Sequence, residues 1–133
     1  MIRYHPEIEE MFSKYHNKKL ETEDGKFDSK YEYQKWCELK LLEKAGEISN
    51  LKRQYPITLL PKITLNGNII LPVKYIADFI YDEKGRTIIV DTKGYETPEY
   101  KIKKKLLLHN VVNNIEFVTF MECKKGKPDK IYK

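Results

Sequence analysis

At 133 residues the chain has the length of one domain, and 41% hydrophobic against 34% charged residues excludes a disordered tail. No run reaches the roughly 18 apolar residues of a membrane span, and Met1-Ile-Arg-Tyr-His-Pro6 lacks the apolar stretch of a signal peptide; the expectation is a cytoplasmic protein with no membrane partner. Net charge is +5, and from Lys93 onward ten lysines stand against five acids, a balance that suits a polyanionic partner or a merely solubilising surface.

Pro6 with Glu7, Glu9 and Glu10 predicts a short peripheral helix, followed by a loop or frayed strand up to an Asp24-Gly25 turn. A second helix is predicted from about Ser29 to Ala45, capped by Asp28 or Ser29 and stopped by Gly46, with Trp36, Leu39 and Leu42 on its buried stripe. Tyr55–Leu60 and Lys62–Leu65, parted by Pro61, read as strand, and Asn66-Gly67 as a tight turn. Val73–Tyr81 and Arg86–Thr92 form a hairpin about the loop at Asp82–Gly85. Pro98 opens another helix to about His109, and Ile115–Glu122 is the last strand. Helix, three strands, helix, strand implies an α/β or α+β domain with a mixed central sheet flanked by helices. Residues 1–25 read as periphery, 26–122 as the core and 123–133 as a basic tail of one domain. Cys37 and Cys123, without metal spacing, are expected as thiols. His5, His16 and His109 show no ligand spacing either.

Strict alternation puts Ile76, Asp78 and Ile80 on one face, with Tyr75, Ala77, Phe79 and Tyr81 on the other. Both faces are apolar, the pattern of a central strand covered on both sides, so Asp78 is at least partly buried. In the partner strand Ile89, Asp91 and Lys93 share a face. Asp78 then lies opposite Ile89 or Asp91, and the two acids are direct or diagonal neighbours, on the order of 5–8 Å apart. Two carboxylates so placed repel, and a cation between them relieves the cost. Oxygen-only ligands suit Mg²⁺, with Mn²⁺ as a substitute. Lys93 brings a positive charge to the same face. The plainer account of Asp91 and Lys93 is an ion pair at a sheet end. Glu32 likewise has two readings. Ser29-Lys-Tyr-Glu32 is a capping box, in which the Glu reaches back to the cap amide. Glu32 also begins the stripe continued by Trp36, Leu39 and Glu43, which aims it toward the sheet.

Phe27-Asp-Ser-Lys-Tyr-Glu32, Tyr75-Ile-Ala-Asp78-Phe and Val90-Asp91-Thr-Lys93-Gly94 resemble, in order and spacing, the three motifs of the PD-(D/E)XK nuclease superfamily. The nearest likeness is to a family of small phage-encoded, resolvase-like nucleases, over roughly residues 14 to 120. The residue before Asp78 is Ala77, where the superfamily's name has Pro. The resemblance implies a restriction-endonuclease-like core and Mg²⁺-dependent hydrolysis of DNA, leaving 5′-phosphate and 3′-hydroxyl ends. Asp78, Asp91 and the Thr92 carbonyl would hold the metal, with Glu32 ligating directly or through water, and Lys93 would orient the attacking water. Branched or recombining DNA is the implied substrate, and a junction resolvase would be a homodimer. Lys101, Lys104 and Lys105 are candidate phosphate contacts, with a solvated helix face as the alternative. Gln54 is a candidate for orienting water or touching phosphate, and Tyr95 for stacking on a base. The competing classes are a non-catalytic DNA-binding module and a phage interaction protein.

Overall fold

The computed structural model describes residues 19–92 and 95–133. The helix expected after Pro6, together with His5, His16, Lys93 and Gly94, lies outside the described residues.

Two short strands, β1 (Leu20–Thr22) and β2 (Gly25–Phe27), pair as a hairpin ahead of helix α1 (Lys30–Lys44). Helix α1 begins where it does because the Ser29 side chain accepts the Glu32 amide at 3.1 Å, satisfying one of the orphan donors of the first turn. It stops before Gly46, whose φ of 80° no β-carbon obstructs. Then follow β3 (Ser49–Leu60), β4 (Ile63–Leu65), β5 (Asn68–Ile70), β6 (Val73–Glu83), β7 (Arg86–Thr92), α2 (Pro98–Leu107), a π turn at Leu108–Val112, β8 (Val118–Cys123) and β9 (Lys130–Tyr132).

The main sheet has the order β3-β6-β7-β8-β9, and every neighbour pair is antiparallel except β7 and β8, which α2 connects. This is a mixed α+β domain with a mostly antiparallel central sheet. The alternate residues Ile88 and Ile89 belong to different cores, so the helices cover opposite faces. Under α1, Leu39 packs with Phe27, Phe79, Tyr81, Ile88 and Val90. Under α2, Tyr100 and Leu107 pack with Ala77, Ile89, Val118 and Phe120. Each fully buried Phe contributes about 1.5–3 kcal/mol.

Four expectations are corrected. Strand β3 begins at Ser49, not Tyr55, because its polar first half pairs with β6 from Asp82 onward. Residues 123–133 are not only a tail: β9 pairs with β8, and Tyr132 stacks on Phe120 at 5.8 Å. The last strand starts at Val118, since the segment before it is turn, closed by Val118 N–H donating to the Ile115 carbonyl. Leu42 is 38% exposed, so the stripe on α1 is buried only as far as Leu39. The β4–β5 pair stands apart as its own two-stranded sheet. Its turn, Asn66-Gly67, and the β6–β7 turn, Lys84-Gly85, both have φ near 50° and then 78°, which matches the right-handed strand twist.

Strict alternation also fails in β6. Tyr75 and Ala77 belong to the α2 core, but Phe79 and Tyr81 belong to the α1 core. Strand β3 turns over at the same level: Leu59 packs under α2, whereas the Arg53 guanidinium lies 3.8 Å from the centre of the Phe27 ring on the α1 side. Gln54 sits at the switch with a φ of 52°, in the left-handed region that strands avoid. Asp78 stands at the matching level of β6.

Candidate functional site

The register gathers polar residues into one row across the sheet. Asp91 pairs with Glu122 on β8, and Glu122 pairs with Lys130 on β9. On the other side the β6–β7 ladder ends at Phe79 and Val90; the same register carried one residue further would set Asp78 beside Asp91. Ile89 is taken by Ile80. Arg53 pairs with Phe79 and Tyr55 with Ala77, leaving Gln54 opposite Asp78. Asp91, Glu122 and Lys130 thus follow one line over three strands, and the β3–β6 and β6–β7 registers, continued, bring Gln54 and Asp78 toward the same line.

Glu32 comes to this row from the first turn of α1, and it is 2% exposed. Its carboxylate accepts the Asp28 amide at 2.9 Å, one residue before the cap amide that a capping box would use. The other oxygen accepts the Gln54 side-chain amide at 3.1 Å. Burial first, and then the charge of Asp78, push the Glu32 carboxyl up to about 7, against the Asp28 amide bond and Arg53, which pull it down. Gln54, weighed from sequence as a contact for water or phosphate, is exposed and donates its side-chain amide to the helix acid.

Asp78 is half-buried and accepts both the backbone amide of Thr92 at 2.7 Å and its hydroxyl at 2.8 Å. Those two bonds define what Thr92 does here. Asp91 is fully buried and accepts the Tyr75 hydroxyl. Burial, and next the charge and hydrogen bond of Asp91, hold the Tyr75 phenol far above its usual range, so it stays a donor. The charge of Asp78 also acts on Tyr75, which places both acids about one phenol.

Sequence reasoning missed a third buried acid of the sheet. Glu122 is 3% exposed and accepts the Tyr100 hydroxyl and the Lys104 ammonium, the latter at 3.1 Å. Lys104 also reaches Glu96 at 3.1 Å, and Lys124 reaches Glu96 at 3.3 Å. Burial works against the charged form of Lys104, but Glu96 and Glu122 outweigh it and raise its pKa. The signal was present in Val118, Phe120 and Glu122, an alternation that sets an acid on the apolar face of a strand. The charge of Asp91 raises the Tyr100 phenol too, after burial itself, so Asp91 and Glu122 belong to one electrostatic neighbourhood.

Of the remaining candidates, Lys101 and Lys105 are exposed on α2, while Lys104 is held between two carboxylates. Tyr95 is 43% exposed. Lys93 lies outside the described residues. Both cysteines are thiols, and burial pushes Cys123 up to about 12. Among the described residues no helix is long and apolar enough to cross a membrane. No group of three or more His, Cys, Asp or Glu among them is arranged to hold a metal ion. The side chains of Glu32, Asp78 and Asp91 offer carboxylate oxygens, a donor type that suits a hard cation.

The family described as "Protein of unknown function (DUF1064)" matches residues 12–127. Among curated proteins, none matches the chain. A solved structure described as "Crystal structure of SSO0001" is similar over 75% of this chain at 16% identity and a TM-score of 0.40; the chain spans 49% of that protein.

Proposed function

We propose that this chain, which belongs to the DUF1064 family, is a divalent-metal-dependent endonuclease that hydrolyses DNA phosphodiesters to 5′-phosphate and 3′-hydroxyl ends, with branched or recombining DNA as its substrate class. The observation that carries the reading is that Asp78 and Asp91 lie on adjacent strands just past the last pair of the β6–β7 ladder, and that the charge of Asp78 acts on Glu32 from α1. Like charges brought together in a partly dry place raise the free energy of the empty fold, and a cation lowers it again.

Asp78 and Asp91 would hold Mg²⁺ or Mn²⁺, with Glu32 and the Thr92 carbonyl completing the protein's share. Bound there, the ion would offset charge developing on the phosphate and make water a better nucleophile. The chain's own part is orientation. Thr92 fixes Asp78 with two hydrogen bonds, and Tyr75 fixes Asp91, so little reorganisation is left for the moment of reaction. Lys93, next in sequence after Thr92, is assigned to orient the attacking water. Lys101 and Lys105, exposed on the helix that follows, are assigned to duplex phosphates.

The test is a panel of labelled junctions, forks and linear duplexes, incubated with Mg²⁺ or Mn²⁺ and with Asp78→Asn alongside. Cleavage by wild type and none by the variant is expected, together with a metal-dependent rise in Tm that the variant lacks. A second reading is a non-catalytic DNA-binding or interaction module on the same fold. DNA binding without cleavage or metal stabilisation would establish it and end the nuclease proposal.

A further inference from the structure

We infer that Pro56 and Ile76 form an apolar wedge that opens a base step of bound DNA beside the acids, so that DNA whose stacking is already interrupted is preferred. The inference rests on the nuclease reading and deepens it by naming what selects the substrate. Tyr75 and Ala77 are buried in the α2 core, so Ile76 between them points to the other face of β6. That is the face on which α1 packs, but on this strand the α1 core begins only at Phe79. The first turn of α1 stands at the level of the switch, where Glu32 accepts the Gln54 side-chain amide at 3.1 Å. Among the described residues no helix covers this face beyond that point, and Ile76 is 56% exposed. Its ladder partner is Pro56, and two residues on Thr58 pairs with Lys74; all four are exposed. Ile76 lies two residues before Asp78 on the same strand, on the order of 7 Å away.

A lone exposed isoleucine is ordinary. Charge assigns this one to nucleic acid. From residue 48 to residue 77 the chain has no Asp or Glu, although 20 stand in the whole sequence, and it has Lys52, Arg53, Lys62 and Lys74. The acids resume at Asp78. A polyanion laid along this face therefore meets only cations until it reaches the acids, where a metal ion would continue the neutralisation. Arg53 is engaged on the Phe27 ring, but Lys74 is exposed on the bare face itself. Lysines alone would hold phosphates without regard to the bases. The Pro56–Ile76 pair adds what phosphate contacts lack, because Ile and Pro are side chains that proteins insert between base steps, unstacking and kinking the duplex. Proline is tolerated at this place because β3 is an edge strand. Opening costs least where a nick or branch has already interrupted the stack.

The test is binding of the full chain to a continuous duplex, the same duplex with a single nick, and a four-way junction, with Ca²⁺ in place of Mg²⁺ so that binding is read without turnover. Affinity is followed by anisotropy, and base opening by a fluorescent aminopurine beside the nick or branch. Wild type is expected to bind the interrupted DNAs about ten-fold or more tighter than the continuous duplex and to brighten the aminopurine, since an intact step resists opening. Ile76→Ser, at an exposed position and checked for native circular dichroism, is expected to lose the brightening and the preference while holding the continuous duplex within about three-fold. Ile76→Phe, still an apolar wedge, is expected to keep both. Lys74→Ala is expected to weaken all three DNAs alike and to lower the salt dependence by about one counterion. No brightening by wild type, or an unchanged preference in Ile76→Ser, would overturn the wedge even if Mg²⁺ supports cleavage. A preference that Ile76→Ser removes in a protein that never cleaves would uphold the wedge and overturn the nuclease reading. A chain that binds none of these DNAs would overturn both.

Discussion

Along the central rung of the sheet the chain buries acids, with Asp91 at 0% and Glu122 at 3% exposure, while just past β3 the β4–β5 arm leaves Leu65, Ile69 and Leu71 more than half exposed. The two regions invert the ordinary distribution of polar and apolar side chains, and they do so in opposite directions. Burying a carboxylate costs several kcal/mol unless it is paired. Leaving apolar surface wet forgoes roughly 25 cal/mol for each Å². Neither choice serves the isolated chain. The polar row is partly repaid from within, since Tyr75, Thr92, Tyr100 and Lys104 all donate into it. Among the described residues the side chains of the arm make no such compensating bonds. The contrast separates a row of acids held by hydrogen bonds within the fold from an arm whose apolar side chains stay exposed.

Replacing the acids should break the comparison most sharply. On the nuclease reading, Asp78→Asn and Lys93→Ala each lower the cleavage rate by roughly 10²–10³-fold or more, the scale of losing one charge stabiliser in a transition state. DNA binding, measured by anisotropy, stays within a few-fold because phosphate contacts lie elsewhere. Normal cutting by either variant would show that the row is not the site. Lys104→Ala probes the internal compensation. It strands Glu122 in the interior with only the Tyr100 hydroxyl, and a loss of about 3 kcal/mol in urea unfolding is expected. A loss below about 0.5 kcal/mol would mean that the pair behaves as a surface ion pair.

How much of this was legible differs between the same two regions. Val73–Tyr81 and Arg86–Thr92 carry turn chemistry and apolar runs that local reading resolves, and α1 is found to within a residue at each end. The neighbourhood of Asp78 and Asp91 follows from the length of the Lys84-Gly85 turn. The face switch at Gln54 does not follow from anything local, because Gln has no preference for positive φ and nothing beside it marks a bulge. Glu122 was hidden for another reason: its partner strand is parallel and lies across a helix, so its place opposite Asp91 depends on a register that no turn sets. The arm's turn at Asn66-Gly67 was readable, yet its separation from the main sheet is a tertiary fact.

Glu32 links the row to pH. Its carboxyl, near 4.5 in an unfolded chain, is raised to about 7 here, so the folded state binds its proton more tightly. The contribution is therefore complete below pH 4.5 and is lost as pH rises through 7. Its full size is about 3 kcal/mol, from 1.36 kcal/mol per unit. Glu32→Gln removes the titration, so the stability of wild type relative to the variant should fall between pH 4.5 and 7 and level off above. Parallel pH profiles for the two proteins would exclude this account of Glu32. Adding Mg²⁺ at pH 8 should recover part of the wild-type loss if the ion binds beside the acid.

The smallest effect isolates the strained residue that joins helix to sheet. A non-glycine side chain at a φ of 52° costs roughly 1–2 kcal/mol, and strain of this kind persists only where the surroundings hold it. The Gln54 amide repays some of that through its 3.1 Å bond to Glu32. Gln54→Gly removes both strain and bond, whereas Gln54→Ala removes only the bond. Gly should therefore be the more stable of the two by about 1 kcal/mol, the reverse of their usual order within a strand. If Gly is instead less stable than Ala by the ordinary margin, the left-handed turn at Gln54 is not what flips the two strands. If the expected order holds, the turn acts to present the amide to Glu32, and the two variants should weaken metal stabilisation equally, since both lack the amide and differ only in backbone strain.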